Sequence, residues 1–387
     1  MNASSIRILY LTLLLLLINP LTNPLTNALM IRLPSHVRVV VTSTSTRLLS
    51  SSSPTPFQSY LLSSPQLVTA PMVAQSDYAF RSLTRLHGST LCYTQMLHAR
   101  NFVESQTFRA DNYDFRRGHE GLSHGRPVVA QVAGDDPGYM SEAARLLSLS
   151  GADAVDVNLG CPQGIARKGN YGAYLLPQTD RVCEIVRAMR RAVGEGTAVT
   201  AKIRLEKSLE ETMTTVEALV ESGVEALAVH GRTAGETKTR QGPANWDAVR
   251  AVVEACPVPV IANGGVEWGS DVGRALAATG AAGVMSSEAL LENPSLFGGG
   301  EDDGDMRPGD VLGRQLDLCD EYLSLAAAFP PVGGGASGGH GTVKAHVFKI
   351  IYRVLCMEGM HDLREGLGER KCRFEDTLEI VAEARRR

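Results

Sequence analysis

The first 76 residues contain no aspartate, glutamate or lysine. Their only charges are Arg7, Arg32, Arg38 and Arg47, so this stretch carries +4 and the rest of the chain −8, against −4 overall. An apolar run, ILYLTLLLLLI, is eleven residues long, well short of the ~20 needed to span a bilayer. It suits the apolar core of a signal peptide, and the Ser/Arg-rich, acid-free continuation suits a transit peptide. Residues 1–64 are therefore expected to be a disordered targeting leader directing the protein to a plastid or a mitochondrion. Cytoplasm or nucleus is the alternative, as is a disordered N-terminus that carries no address. No stable membrane association of the mature form is expected.

Paired cysteines are also lacking. The seven cysteines (Cys92, Cys161, Cys183, Cys256, Cys319, Cys356 and Cys372) are odd in number and include no C-x-x-C. A disulfide framework and a zinc site are both disfavoured, and no metal is expected. A third absence concerns glycine patterning. After the first strand candidate the chain reads APMVAQSD, with no G-x-G-x-x-G, which argues against a doubly wound dinucleotide-binding sheet.

Eight apolar runs of strand length do occur between residues 66 and about 290: QLVTAPM, TLCYTQM, PVVAQVAG, ADAVDVNLG, TAVTAKIRL, VEALAVHG, VPVIANGG and AAGVMSS. Amphipathic segments such as Pro137–Ser150 and Ser208–Ser222 separate them. This alternation predicts a closed parallel (β/α)8 barrel, the TIM barrel, over residues 65–298. Residues 299–308 read as an acidic flexible linker. Residues 309–387 read as a small all-helical C-terminal domain, interrupted by a disordered Gly-rich loop at 330–342.

Working residues of such a barrel sit where strands end. The third candidate strand ends in Gln131, the fourth in Asn158 and Cys161, the fifth in Lys202 and Arg204, the sixth in His230 and Arg232, and the seventh in Asn263, Gly264 and Gly265. Any one could be a satisfied core residue, but five consecutive strands sending polar groups to one face is hard to attribute to packing. The seventh and eighth strand ends, IANGGVEWGSDV and GVMSSEALLENPSLF, are small-residue turns running into helices, the usual place for a phosphate in this fold. A phosphate held there leaves its ligand across the mouth. Lys202 then faces the ring of FMN, where a cation stabilises the reduced anionic flavin, and Gln131 and Asn158 face its pyrimidine edge. Cys161, pinned between Gly160 and Pro162, is placed as a general acid for reduction of a carbon–carbon double bond.

These segments resemble the tRNA-dihydrouridine synthases, through APMVAQSDYAFR, LCYTQMLHARNF, NLGCPQGIARKGNYGAYLL, KIRL, VHGRT, IANGGV and GVMSSEALLENPSLF, in that family's order. LCYTQMLHAR, CPQGIARKGNYGAYL and GVMSSEALLENP are most similar to the eukaryotic type acting on D-loop positions 16 and 17. The resemblance implies FMN-dependent reduction of uridine to dihydrouridine in tRNA, with NADPH or NADH as electron source and Cys161 as proton donor to C5. It implies flavin binding by the main chain of Pro71, Met72 and Val73 and by Gln131, Lys202 and His230, the histidine facing either flavin or uracil. It implies a phosphate held by Asn263, Gly264, Gly265, Ser287 and Glu288. RNA contacts are expected from Asn158, Arg167, Lys168, Arg204, Arg232, Lys344 and Lys349, with His346 and Arg353 on the same helical stretch. A monomer is the default. The alternative is an FMN barrel oxidoreductase acting on a small enone or dihydropyrimidine.

Overall fold

The computed structural model describes residues 53–116, 118–236, 242–299, 306–333, 339–369 and 371–387. Residues 1–52 of the expected leader, most of the acidic linker and the centre of the Gly-rich loop lie outside the described residues.

The described strands run in chain order as β1 (Gln66–Thr69), β2 (Leu91–Tyr93), β3 (Leu97–His98), β4 (Val128–Ala133), β5 (Ala154–Leu159), β6 (Ala198–Leu205), β7 (Ala226–Thr233), β8 (Val260–Asn263) and β9 (Gly283–Ser286). All pairings are parallel, and β1–β9 and β2–β4 contacts close the ring. Strand β3 pairs with β4 further along the slot that β2 occupies. The segment TLCYTQMLH therefore forms one interrupted barrel strand, and the fold is the expected eight-stranded (β/α)8 barrel followed by helices.

Local signals set the connecting helices. Asp136 caps the helix Pro137–Ser150, whose first residue is the proline, and Gly151 ends it at a left-handed φ of 104°. Ser208 and Glu211 form a reciprocal capping box at Leu209–Glu221. The strands are buried on both faces, as a parallel barrel requires. Outward residues such as Val155, Val157, Leu159, Val199, Ala201 and Ile203 meet the helices in one large core. Inward residues at the opposite end of the barrel from its mouth (Val68, Leu91, Val129, Ala154, Ala198, Ala226) form a second.

That inner core includes Phe57 and Leu61, which corrects the expectation that residues 1–64 lie outside the fold. Residues Pro56–Ser63 are a helix with a Thr55/Gln58 capping box. Phe57 and Leu61, one helical turn apart, are buried in the lumen core, and the Gln58 amide donates to the carbonyl of Glu225 at 3.0 Å. The helix stops the barrel floor. The small residues Ala154, Ala198 and Ala226 beneath it leave the room it fills.

The C-terminal helices are Pro308–Ala328, His340–Ile350, Tyr352–Leu355, His361–Gly368 and Phe374–Arg386. They share an apolar core with the barrel's helix Tyr78–Leu86 and the loops after β8 and β9. Three expectations are corrected here. Helix starts at Pro308 and His340 reach into the expected linker and loop, and the stretch VKAHVFKIIYRVL breaks at Ile351. His346 is also not a surface cation. It is fully buried, its Nε2 lies 2.7 Å from Asp77 Oδ2, and its ring stacks on Phe80 at 4.3 Å. Burial would raise the Asp77 carboxyl, but His346 opposite it, the Phe80 N–H and the Arg81 guanidinium together hold it below its ordinary value.

Truncating Phe57 should leave a cavity that the rigid barrel floor cannot collapse. Phe57→Ala is expected to cost about 3–5 kcal/mol in urea unfolding, and a chain starting at Ser64 should lose at least as much. A loss below about 1 kcal/mol would show that the helix merely rests on the barrel.

Candidate active site

Side chains two residues apart on a strand share a face, so each inward column of the barrel reads from floor to mouth. On β5 the column is Ala154, Asp156, Asn158; on β6 it is Ala198, Thr200, Lys202, Arg204; on β7 it is Ala226, Ala228, His230, Arg232. Register aligns the columns: Gln131 pairs with Asp156, Asn158 with Lys202, Arg204 with His230 and His230 with Asn263. An apolar floor therefore gives way, within two residues, to a polar mouth.

Lys202 Nζ donates to Asn263 Oδ1 at 2.8 Å, and Asn263 Nδ2 donates to the Met285 carbonyl at 2.9 Å. Burial, with Arg204 nearby, pushes the Lys202 ammonium down to about 8. Burial and the cations Lys202, Arg204 and Arg232 push His230 down to about 2, so its imidazole is neutral. Arg232 Nη1 lies 3.4 Å from His230 Nε2. A guanidinium can only donate, so Nε2 is the acceptor and Nδ1 carries the hydrogen. Three cations thus surround a neutral histidine at a cavity of about 830 Å³ lined by Pro162, Arg204, His230, Arg232, Gly264 and Ser287, among others.

Gly264 and Gly265, at φ of 93° and 77°, make the turn after β8 that shapes this cavity. A Cβ on Gly264 would lie 2.7 Å from His230 Cδ2. These glycine N–H groups and the surrounding cations form a donor set that fits an anionic ring ligand carrying a phosphate, as FMN does. Ser287 and Glu288 lie at the same end, where the helix Glu288–Glu292 begins and Arg353 of the C-terminal helices also lines the wall. Across the mouth, Val73 is exposed, whereas the Met72 N–H is bonded to Ser76 Oγ at 2.8 Å. Main-chain donation from this turn thus falls to Val73, since Pro71 has no N–H.

Cys161 stands half-buried at the end of β5. Asn158 Oδ1 accepts from the backbone N–H groups of Gly160 (3.1 Å) and Cys161 (3.0 Å). Arg204 Nε donates to the Gly160 carbonyl at 2.8 Å, the Ala173 N–H to the Cys161 carbonyl at 3.0 Å, and the Tyr174 hydroxyl to the Pro162 carbonyl at 2.9 Å. Gly172, at φ 65°, lies flat against the cysteine, and a Cβ there would come 2.6 Å from the Cys161 carbonyl and 2.9 Å from its Cβ.

The structure thus brings Gln131, Asn158, Lys202, Arg204, His230, Arg232 and Asn263 together, and its two arginines, which line the cavity, also hold main chain around it. Arg204 braces the Cys161 loop and also donates to the Thr233 carbonyl. Arg232 is buried, its Nε bonded to the Gly242 carbonyl. Arg167 and Lys168 are exposed on the short helix Gly164–Lys168 beside Cys161. Lys344 donates to the Glu369 carbonyl within the C-terminal helices, and Lys349 is half-buried on the helix His340–Ile350. Sequence reading passed over Asp156, Gly172 and Tyr174. The only signal for Asp156 was an acid inside an apolar strand. Among the described residues, no group of His, Cys, Asp and Glu is placed to hold a metal, and no helix is long and apolar enough to cross a membrane.

Gly172→Ala and Gly125→Ala should separate clash from strain. Gly125 has nearly the same φ, 64°, with nothing near its missing Cβ. Gly125→Ala should cost about 1 kcal/mol. Gly172→Ala should cost at least about 1 kcal/mol more in thermal unfolding, and should speed alkylation of Cys161. Equal costs would mean that the Cys161 loop yields freely.

Comparison with known proteins bears on what this site belongs to. A family profile described as Dihydrouridine synthase (Dus) matches residues 68–329. A Rattus norvegicus protein named as tRNA-dihydrouridine(16/17) synthase-like is 37% identical over 327 residues, 84% of this chain and 67% of its own. The Mus musculus counterpart is 36% identical over 84% of this chain and 62% of its own. The tRNA-dihydrouridine(16/17) synthase of Saccharomyces cerevisiae is 34% identical over 74% of this chain and 65% of its own. The chain therefore spans about two thirds of the length of these relatives. By the profile match and these identities, the chain belongs to the dihydrouridine synthase family.

Proposed function

We propose that the protein reduces uridine to 5,6-dihydrouridine in tRNA, at D-loop positions 16 and 17, using FMN and NADPH or NADH. The observation that carries this reading is the Cys161 loop. Its backbone is held by five hydrogen bonds, its neighbours Pro162 and Gln163 line the cation-bordered cavity, and its side chain is left to meet a substrate. Bound FMN, reduced by the nicotinamide, would supply the hydride to uracil C6. Cys161 gives its proton to C5, so one hydride and one proton saturate the double bond. Lys202 and the N–H of His230 Nδ1 hold negative charge at the ring, and the glycine turn after β8 with the Ser287 region takes the phosphate.

Reaching C5 and C6 requires an unstacked base, which costs least in an irregular loop. Arg167 and Lys168 flank the position such a base would take, and their contacts to phosphate would dominate affinity. The position assignment is supported by the likeness to the relatives named for 16/17.

Two measurements test this. Wild-type protein, incubated with NADPH and an unmodified tRNA transcript, should form dihydrouridine, and Cys161→Ala should lose nearly all of it. Flavin binding with NADPH oxidation but no dihydrouridine would favour a small enone or dihydropyrimidine as substrate. The second is pH dependence. Lys202 is charged below about pH 8 and neutral above it, so FMN affinity should hold to pH 7.5 and fall up to about tenfold per pH unit beyond 8. Lys202→Met should bind more weakly and lose that dependence in calorimetric titration.

A further inference from the structure

Resting on the reading above, we propose that Asp156 is a positioning residue, whose buried carboxylate sets the direction of the Gln131 and Asn158 amides and through them holds the Cys161 loop. Asp156 is fully buried on β5, directly below Asn158. Its Oδ2 accepts from Gln131 Nε2 at 2.9 Å and its Oδ1 from the Thr200 hydroxyl at 2.7 Å. Gln131 Oε1 then accepts from Asn158 Nδ2 at 2.9 Å. Asn158 Oδ1 in turn accepts from the N–H groups of Gly160 and Cys161.

Each amide is nearly symmetric in shape, so sterics alone do not choose which end points where. An ionised carboxylate accepts and cannot donate. It requires the Gln131 nitrogen on its own side, which puts the Gln131 oxygen towards Asn158. That requires the Asn158 nitrogen, and leaves the Asn158 oxygen for the two backbone N–H groups. If Gln131 turned over, its oxygen would face a carboxylate. Asn158 would follow and point N–H at N–H, breaking the turn that pins Cys161. One acceptor at the start of the chain therefore fixes three links.

Burial pushes the Asp156 carboxyl up to about 6, so it is ionised near neutral pH. The ionisable groups facing it are Tyr93 from β2 and Lys202 from β6. Neither supplies a hydrogen bond that would replace the one to Gln131. The orientation also leaves Gln131 with one free amide hydrogen for the pyrimidine edge of a flavin, so one group serves cofactor and cysteine loop together.

The test is the rate at which Cys161 of the ligand-free protein is alkylated by iodoacetamide at pH 7.5, read by peptide mass spectrometry so that the other cysteines do not interfere. Asp156→Asn keeps the volume but can present either end. It should raise the Cys161 rate about tenfold, the loss expected for a pair of backbone-fixing hydrogen bonds. Asn158→Ala should do the same, and the double variant should be no faster than Asn158→Ala alone, because both changes release one chain of contacts. A native melting curve with wild-type alkylation in Asp156→Asn, or rates that multiply in the double variant, would overturn the proposal. Should Asp156→Asn not fold, Gln131→Met breaks the middle link. It must match Asn158→Ala, and a wild-type rate there overturns the proposal equally. Failure of wild-type protein to make dihydrouridine would count against the function proposed above and leave the alkylation result to decide the relay.

Discussion

A closed parallel barrel obliges every second residue of eight strands to point into one narrow lumen, and near its floor that lumen is packed with apolar side chains, so polar groups there must satisfy one another. The chain meets this constraint in layers. Phe57 and Leu61 plug the floor over small alanines on β5, β6 and β7. One step up, Asp156, Gln131 and Thr200 satisfy one another without a free acceptor. One step further, Lys202, His230 and Asn263 reach the mouth. The step order matters because the middle-layer carboxylate of Asp156 is sustained only by the donors Gln131 and Thr200, whereas the charges at the top can meet a ligand. The site is thus a consequence of where along each strand the apolar run stops.

The C-terminal helices are bound to this frame by a core they share with the barrel. Leu318, Tyr322, Val347 and Ile351 pack with Phe80 and Leu83, and His346 reaches Asp77, which also caps the helix Tyr78–Leu86 by accepting from Phe80 N–H. A buried pair of this kind is weak evidence for net stability, since desolvation opposes it, yet breaking one partner is costly. Its consequence here is registration. Asp77 lies four residues after Val73 of the turn that borders the mouth, so the helices that carry Lys349 and Arg353 are tied to the catalytic face at a fixed point.

Much of this was legible in the sequence, and what was not has physical causes. Strand ends were readable because apolar runs stop abruptly at Gln131, Asn158, Lys202, His230 and Asn263, and the parallel order follows from alternation. The floor helix was not, because Phe57 and Leu61 sit in a Ser/Pro-rich stretch whose composition resembles a leader. Their burial depends on alanines that lie about 100 to 170 residues away. His346 read as a surface cation because its partner lies 269 residues distant. That Arg204 and Arg232 also hold main chain was not legible, because residue type indicates charge and carries no direction. Folding turns both inward, one onto the Gly160 carbonyl and the other onto His230. The interruption between β2 and β3 escaped notice because TLCYTQMLH has a continuous strand-like pattern.

The loop at Cys161 also explains why a lone cysteine suffices for the chemistry proposed. A nucleophilic thiol is activated by a base beside it or by a neighbour that lowers its pKa. Among the described residues, no side-chain hydrogen bond reaches the Cys161 sulfur, and the nearby histidine on β7 is neutral and already accepts from Arg232. A proton donor has a different requirement. It needs a fixed position within reach of one carbon and no partner that would take its hydrogen first. Five hydrogen bonds to Gly160, Cys161 and Pro162 meet the first requirement through the backbone, and Gly172 meets it sterically. Because all of these contacts act on main-chain atoms, the thiol stays uncommitted. Rigidity and availability, which usually conflict in a side chain, are here divided between the backbone and the sulfur.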